Sequence, residues 1–131
     1  MFVVILGAIC MVYKATKKDF ELFRKEAEKW IKYLGLLNWE VRYCYDIDND
    51  CRASCTADNN GRIATLAFSL HWPYKPKTSE IRLVAFHEVA ELLLEPLEHI
   101  ANSIYRNQGE FEAAKHDVIR TLENTLFRSV K

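Results

Sequence analysis

The run from Thr78 to Glu95, TSEIRLVAFHEVAELLLE, limits the fold more than any other part of the chain. Leu83 to Phe86, Val89, Ala90 and Leu92 to Leu94 leave it almost no polar side. A helix that is apolar nearly all round is a buried helix. Thr78 or Ser79 offers an N-cap, and Pro96 is expected to end or kink it. Yet His87, Glu88 and Glu91 lie in its middle. Ionisable groups in such a setting are unfavourable unless paired, hydrogen-bonded or bound to a metal. The rest of the chain must therefore supply cover for this helix and an explanation for its polar trio.

The cover is legible. Phe20, Phe23, Ala27, Trp30, Ile31 and Leu34 recur at three and four residues, so Asp19 (as N-cap) to Gly35 (as stop) reads as an amphipathic helix. Trp39 to Ile47 alternates and is rich in β-branched and aromatic residues, which marks a strand. Cys51 to Asp58 is a weaker strand, Asn59 to Gly61 a hairpin turn, and Arg62 to Leu70 a third strand. His71 to Lys77 reads as a loop. A short helical piece follows Pro96, from Leu97 to Tyr105. Glu110 to Phe127 is the last helix, with Phe111, Ala114, Val118, Leu122 and Leu126 as its expected buried stripe. The order α-β-β-β-α-α predicts an α+β fold, with helices on a small antiparallel three-stranded sheet.

At 131 residues, half of them apolar, the chain is sized for one domain with a real core. We place an apolar N-terminal extension at residues 1–13 and the domain at 14–131. The extension, MFVVILGAICMV, is about half the length needed to cross a bilayer and lacks a basic flank. It suits a buried strand, a helical extension, or a stretch read through before a start at Met11. Eighteen basic residues balance eighteen acidic ones, which gives no electrostatic case for nucleic acid or an anionic membrane. Cys10, Cys44, Cys51 and Cys55 match neither zinc-knuckle nor CxxC spacing and read as reduced thiols of an intracellular, cytoplasmic protein.

His87 and Glu91 are four residues apart, so on a helix they lie one turn apart on one face and can aim at a common atom. Glu88 sits about 100° round, within reach of a water bound there. Zinc proteases use His-Glu-x-x-His for this geometry: two ligands and a carboxylate that takes a proton from the water. Here Glu91 stands at the second ligand position, and carboxylate oxygen is also a zinc ligand. A third ligand is expected on the last helix, where Glu112 and His116 are again four apart. His116 gives two imidazoles and one carboxylate, suited to zinc. Glu112 instead gives an oxygen-rich set suited to manganese or iron.

The layout resembles the minimal zincin-like (gluzincin-type) metallopeptidase domain of small phage and prophage proteins. The resemblance rests on HEVAELLLEPL in the long helix and on His116 to Asn124 closing the chain. Weaker matches are Trp39 and Val41 at the start of the sheet, and Ala57, Asp58, Arg62, Ala64 and Leu66. It spans roughly Lys14 to Phe127. The resemblance implies a helix, a short antiparallel sheet, an active-site helix and a ligand-bearing last helix. It implies a zinc-dependent peptidase with His87, Glu91 and His116 on the metal, Glu88 as general base, and a peptide or protein substrate. It also implies that Ile63 to Leu70 lines the cleft and pairs with an extended peptide.

Two other functions compete. One is the same fold without turnover, as a binding or structural-metal protein of a phage or mobile element. The other is an α+β interaction domain without metal. The blander reading of the trio is a half-buried cluster in which His87 bonds Glu91 or Glu112. His71 and Trp72 could line a cleft, and His99, Glu123 and Asn124 read as solvated or capping residues.

Overall fold

The computed structural model describes residues 2–5, 8–47, 51–104 and 108–129. The elements are β1 (Phe2–Ile5), β2 (Ala8–Met11), β3 (Tyr13–Lys14), α1 (Lys17–Tyr33), β4 (Glu40–Ile47), β5 (Ala53–Asp58), β6 (Ile63–Ser69), β7 (His71–Trp72), α2 (Thr78–Ile104) and α3 (Gln108–Leu122). A π-helical turn, Glu123–Phe127, continues α3. The fold is α+β, as expected.

The N-terminal extension is an antiparallel hairpin of β1 and β2. Helix α1 starts one turn earlier in its capping logic than expected. Thr16 is the N-cap, and Asp19 is its N3 partner in a reciprocal capping box. Gly35 ends the helix at φ +71°, a conformation glycine adopts without a Cβ clash. Phe23, Ala27, Trp30 and Ile31 form the buried face, as their spacing required.

The sheet differs from expectation. Its order is β4-β6-β5, with β5 antiparallel to β6 but β4 parallel to it. It is mixed, not antiparallel. The cause is burial. Strand β6 carries Ala64, Leu66, Ala67 and Phe68, all buried, so both of its faces need cover and it takes the centre. The more polar β5 goes to the edge. The β5–β6 hairpin forms where Asn59 to Gly61 signalled it, but the left-handed residue is Arg62, at φ +57°. Its guanidinium lies over Trp39, 5.0 Å from the ring centroid. His71 and Trp72 are not a free loop. They pair with Tyr13 and Lys14, and Trp72 is buried.

Helix α2 lies between α1 and β5. Ile81, Ala85, Phe86, Val89, Ala90 and Leu92 are completely or almost completely buried. Phe86 meets Trp30 edge to face at 4.8 Å, and both contact Phe127. The aromatic cluster is the clamp that fixes α2 against α1 and the chain end. At the start of α2 the backbone N–H of Lys77 donates to Glu80 Oε1, and the Lys77 carbonyl accepts from Ile81, so neither Thr78 nor Ser79 is the cap. Pro96 does not end α2, which runs on to Ile104. The extension past the proline is fastened by Glu98, which accepts from Lys115 Nζ at 2.7 Å.

Candidate metal centre

The pairing of α2 with α3 is electrostatic at its centre. Lys115 of α3 is buried, and its Nζ lies 3.2 Å from Glu91, 2.7 Å from Glu98 and 3.3 Å from Glu112. A neutralised ammonium on a long alkyl stem packs like an apolar side chain. That explains why the expected α3 stripe is displaced. Lys115 and Ile119 are the buried residues, whereas Ala114 is exposed and Val118 is half exposed. Leu122 and Leu126 do pack on the core as expected.

Turning Lys115 inward brings the next residue, His116, to the edge of the same interface. Its ring stacks on that of His87, with centroids 5.7 Å apart and planes 26° apart. His116 Nε2 is 3.8 Å from Glu91 Oε1. One ligand atom each of His87, Glu91 and His116 falls within 4.8 Å of the others. Ligands around a tetrahedral zinc with bonds of about 2.0–2.1 Å stand about 3.4 Å apart. Binding would draw the ligand atoms together by up to about 1.4 Å.

The tautomers fit a metal. His87 Nδ1 is 3.0 Å from Glu123 Oε2, and His116 Nδ1 is 2.8 Å from the Glu112 carbonyl. A carbonyl only accepts, as does an ionised carboxylate, so each Nδ1 carries the proton. Both Nε2 lone pairs are left available. Metal-ligating histidines are held this way, by a carboxylate or backbone carbonyl on the far nitrogen.

Glu88 is buried, and its Oε2 has no hydrogen-bond partner among the described residues. Burial pushes its carboxyl up to about 9, helped by the charge of Glu91 and a hydrogen bond shared with it. Burial likewise pushes the neighbouring Cys55 thiol up. A thiol held protonated is neither a nucleophile nor a metal ligand. Cys44, Cys51 and Cys55 are all free thiols.

The structure thus brings together His87, Glu91 and His116, with Glu88 beside them on α2. Glu112 is not in the ligand group. Its side chain faces Lys115 and its carbonyl orients His116. The half-buried polar cluster of the blander reading is present, but the partner of His87 in it is Glu123, not Glu91 or Glu112. Glu123 had read as solvated, but only 17% of its side chain is exposed. The available signal was its spacing of seven from His116, two helical turns along one face. The π-helical turn that begins at Glu123 accommodates an extra residue per turn at that point, a feature frequent at functional sites. His99 is exposed, as expected.

His87 and Glu91, though not His116, line a cleft of about 430 Å³, a size typical of ligand sites. Its walls include Arg52, Leu83, Val84, Glu88 and Glu123. Strand β6 cannot pair with a peptide there, because both of its edges are taken by β4 and β5. The open edge beside the cleft belongs to β5, which no other strand pairs among the described residues. Among the described residues, no helix is long and apolar enough to cross a membrane. No family model, curated protein or solved structure matches this chain.

Proposed function

We propose that this chain is a small zincin-type, metal-dependent hydrolase of peptide bonds. The observation that carries the reading is the hydrogen bonding of both imidazoles at Nδ1, in a group where one ligand atom each of His87, Glu91 and His116 lies within 4.8 Å of the others. Two imidazoles and one carboxylate suit zinc. Manganese or iron would need the harder set that includes Glu112, which faces Lys115 instead. When bound, a zinc ion supplies Lewis-acid polarisation and makes its coordinated water more acidic.

The protein groups have separable roles in this reading. Glu123 keeps the His87 ring in one tautomer and orientation, and the Glu112 carbonyl does the same for His116. Glu88 Oε2 is the proton acceptor, since it is buried, faces the cleft and has no competing donor. Without metal, burial and Glu91 keep this carboxyl protonated at neutral pH; the charge of a bound zinc ion would favour its ionised form, which a general base requires. An extended peptide would lie along the outer edge of β5, bonded through the main chain, with its side chains toward Leu83 and Val84.

The test is metal content and turnover together. After loading with zinc and desalting, the wild-type protein should retain one equivalent, and His87→Ala should retain none. Glu88→Gln should keep the zinc but hydrolyse a quenched fluorescent peptide mixture about 10²–10⁴-fold more slowly. Wild-type protein that retains no zinc would end the metal reading.

A second reading is favoured by one contact. Lys115 Nζ already lies 3.2 Å from Glu91, so an internal cation partly neutralises the carboxylate ligand. A binding or structural-metal protein without turnover would retain zinc in the same way. In that case Glu88→Gln would change no catalytic rate, because there would be none to change.

A further inference from the structure

Among the described residues lining the cleft beside the candidate metal centre, Arg52 is the one permanent cation, and it is held with unusual care for an exposed side chain. Its carbonyl accepts from the Ser69 N–H at 2.9 Å, which fixes the backbone to β6. Its guanidinium carbon lies 5.6 Å from the Trp72 ring and 5.7 Å from the Tyr74 ring. Nη2 donates to Tyr74 Oη at 3.1 Å, and Tyr74 Oη in turn donates to Glu80 Oε2 at 2.6 Å. Glu80 Oε1 accepts from the Lys77 N–H at the start of α2. A chain of contacts therefore runs from the edge of the sheet to the first turn of the site helix, with Arg52 at its open end.

The charge of Arg52 is met by Glu80 through Tyr74 Oη, and by no direct ion pair among the described residues. Among the described residues, no carboxylate lies within 4.0 Å of the guanidinium, and one of its five donors is engaged. Stacking on two rings, one of them the buried Trp72, restricts the rotamers, so little freedom remains to be lost when a partner binds. The planar fork matches a carboxylate through two parallel hydrogen bonds. The acidic groups of the cleft are otherwise occupied: Glu123 with His87, Glu91 with Lys115 and His116. Apart from a bound metal ion, Arg52 is the cationic group among the described lining residues that would attract a ligand carboxylate.

We infer that Arg52 is the specificity-determining residue of this cleft, taking a carboxylate of the bound peptide. The inference rests on the peptide-hydrolase reading, because carboxylates are the anions a peptide carries. They come from an acidic side chain or from the chain terminus. Leu83 and Val84, which line the cleft from α2, give the adjacent position an apolar preference. The substrate class is a peptide with an apolar residue next to an acidic residue or a free C-terminus.

Three hydroxamate-capped dipeptides test this, with the hydroxamate as metal anchor: Leu-Gln amide, Leu-Glu amide, and Leu-Gln with a free terminal carboxylate. Their affinities for the zinc-loaded full chain are measured by calorimetry, with zinc content determined on the same samples. One of the two carboxylate probes should bind wild type about 10- to 100-fold more tightly than Leu-Gln amide, and which one does identifies the source of the carboxylate. The advantage should vanish in Arg52→Gln and fall to a few-fold in Arg52→Lys, which keeps the charge but not the fork. Equal binding of all three probes to zinc-retaining wild type, within about twofold, overturns the role of Arg52 and leaves the metal centre standing. Wild type that retains no zinc and binds no probe overturns the metal centre, and the role of Arg52 falls with it. Because the decisive comparison is made on wild type, it does not depend on how well the variants fold.

Discussion

Replacing Glu88 by glutamine should stabilise the metal-free protein, and by an amount that grows with pH. The native carboxyl is held up to about 9 by burial and by Glu91, against an ordinary value of 4.5. Below pH 4.5 the group is protonated whether the chain is folded or not, so it adds no pH-dependent penalty. Between 4.5 and 9 the unfolded chain releases the proton and the native state keeps it. Native stability then falls as pH rises, by about 1.4 kcal/mol per unit, and the fall levels off above 9. Glutamine does not titrate, has nearly the same shape, and can donate to Glu91 as the protonated acid does. The gain for Glu88→Gln over wild type should be near zero at pH 4.5 and about 4 kcal/mol at pH 7.5. That is a large share of the 5–15 kcal/mol typical of a domain. Urea unfolding of both proteins in chelator, at half-unit steps from pH 5 to 9, reads the difference directly. A flat difference across that range would refute the reasoning, since it would mean that Glu88 ionises equally easily in both states.

Zinc should oppose that penalty in wild type. At about 100-fold excess over the dissociation constant it should add about 2.7 kcal/mol to unfolding stability, and a melting curve unmoved by metal would contradict the site. Lys115→Met should destabilise the fold by about 3–5 kcal/mol in chemical denaturation, because Glu91, Glu98 and Glu112 lose their shared ammonium. A loss under 1 kcal/mol would mean that the cluster does not hold α3 to α2. Glu123→Ala should weaken zinc binding about 10- to 100-fold in competition with a chromogenic chelator, by freeing the His87 ring, and unchanged affinity would remove Glu123 from the site. Phe86→Ala should lower unfolding stability by about 3–5 kcal/mol, since it empties the space between Trp30 and Phe127, and a smaller effect would mean that this junction collapses to fill it.

Helical periodicity was enough to identify α1 and its buried face, because a single stripe of apolar residues at three- and four-residue spacing has one physical solution. The burial of α2 and the shared face of His87 and Glu91 were equally legible, since both follow from composition and the pitch of a helix. The sheet was not. Which strand takes the centre depends on what covers each face, and β6 won that place through its two-sided burial, which turned its pairing with β4 parallel. The rotation of α3 was also out of reach. A pattern of hydrophobicity counts Lys115 as polar, whereas three carboxylates gathered from α2 and α3 let it be buried and so aimed His116 at Glu91. Glu123 meets His87 where α3 continues into a π-helical turn, a contact between residues 36 apart in sequence. The residue types and their spacing along one helix were therefore decided by the sequence alone. The convergence of two helices on a single point was decided by long-range ion pairing and packing, which no local pattern records.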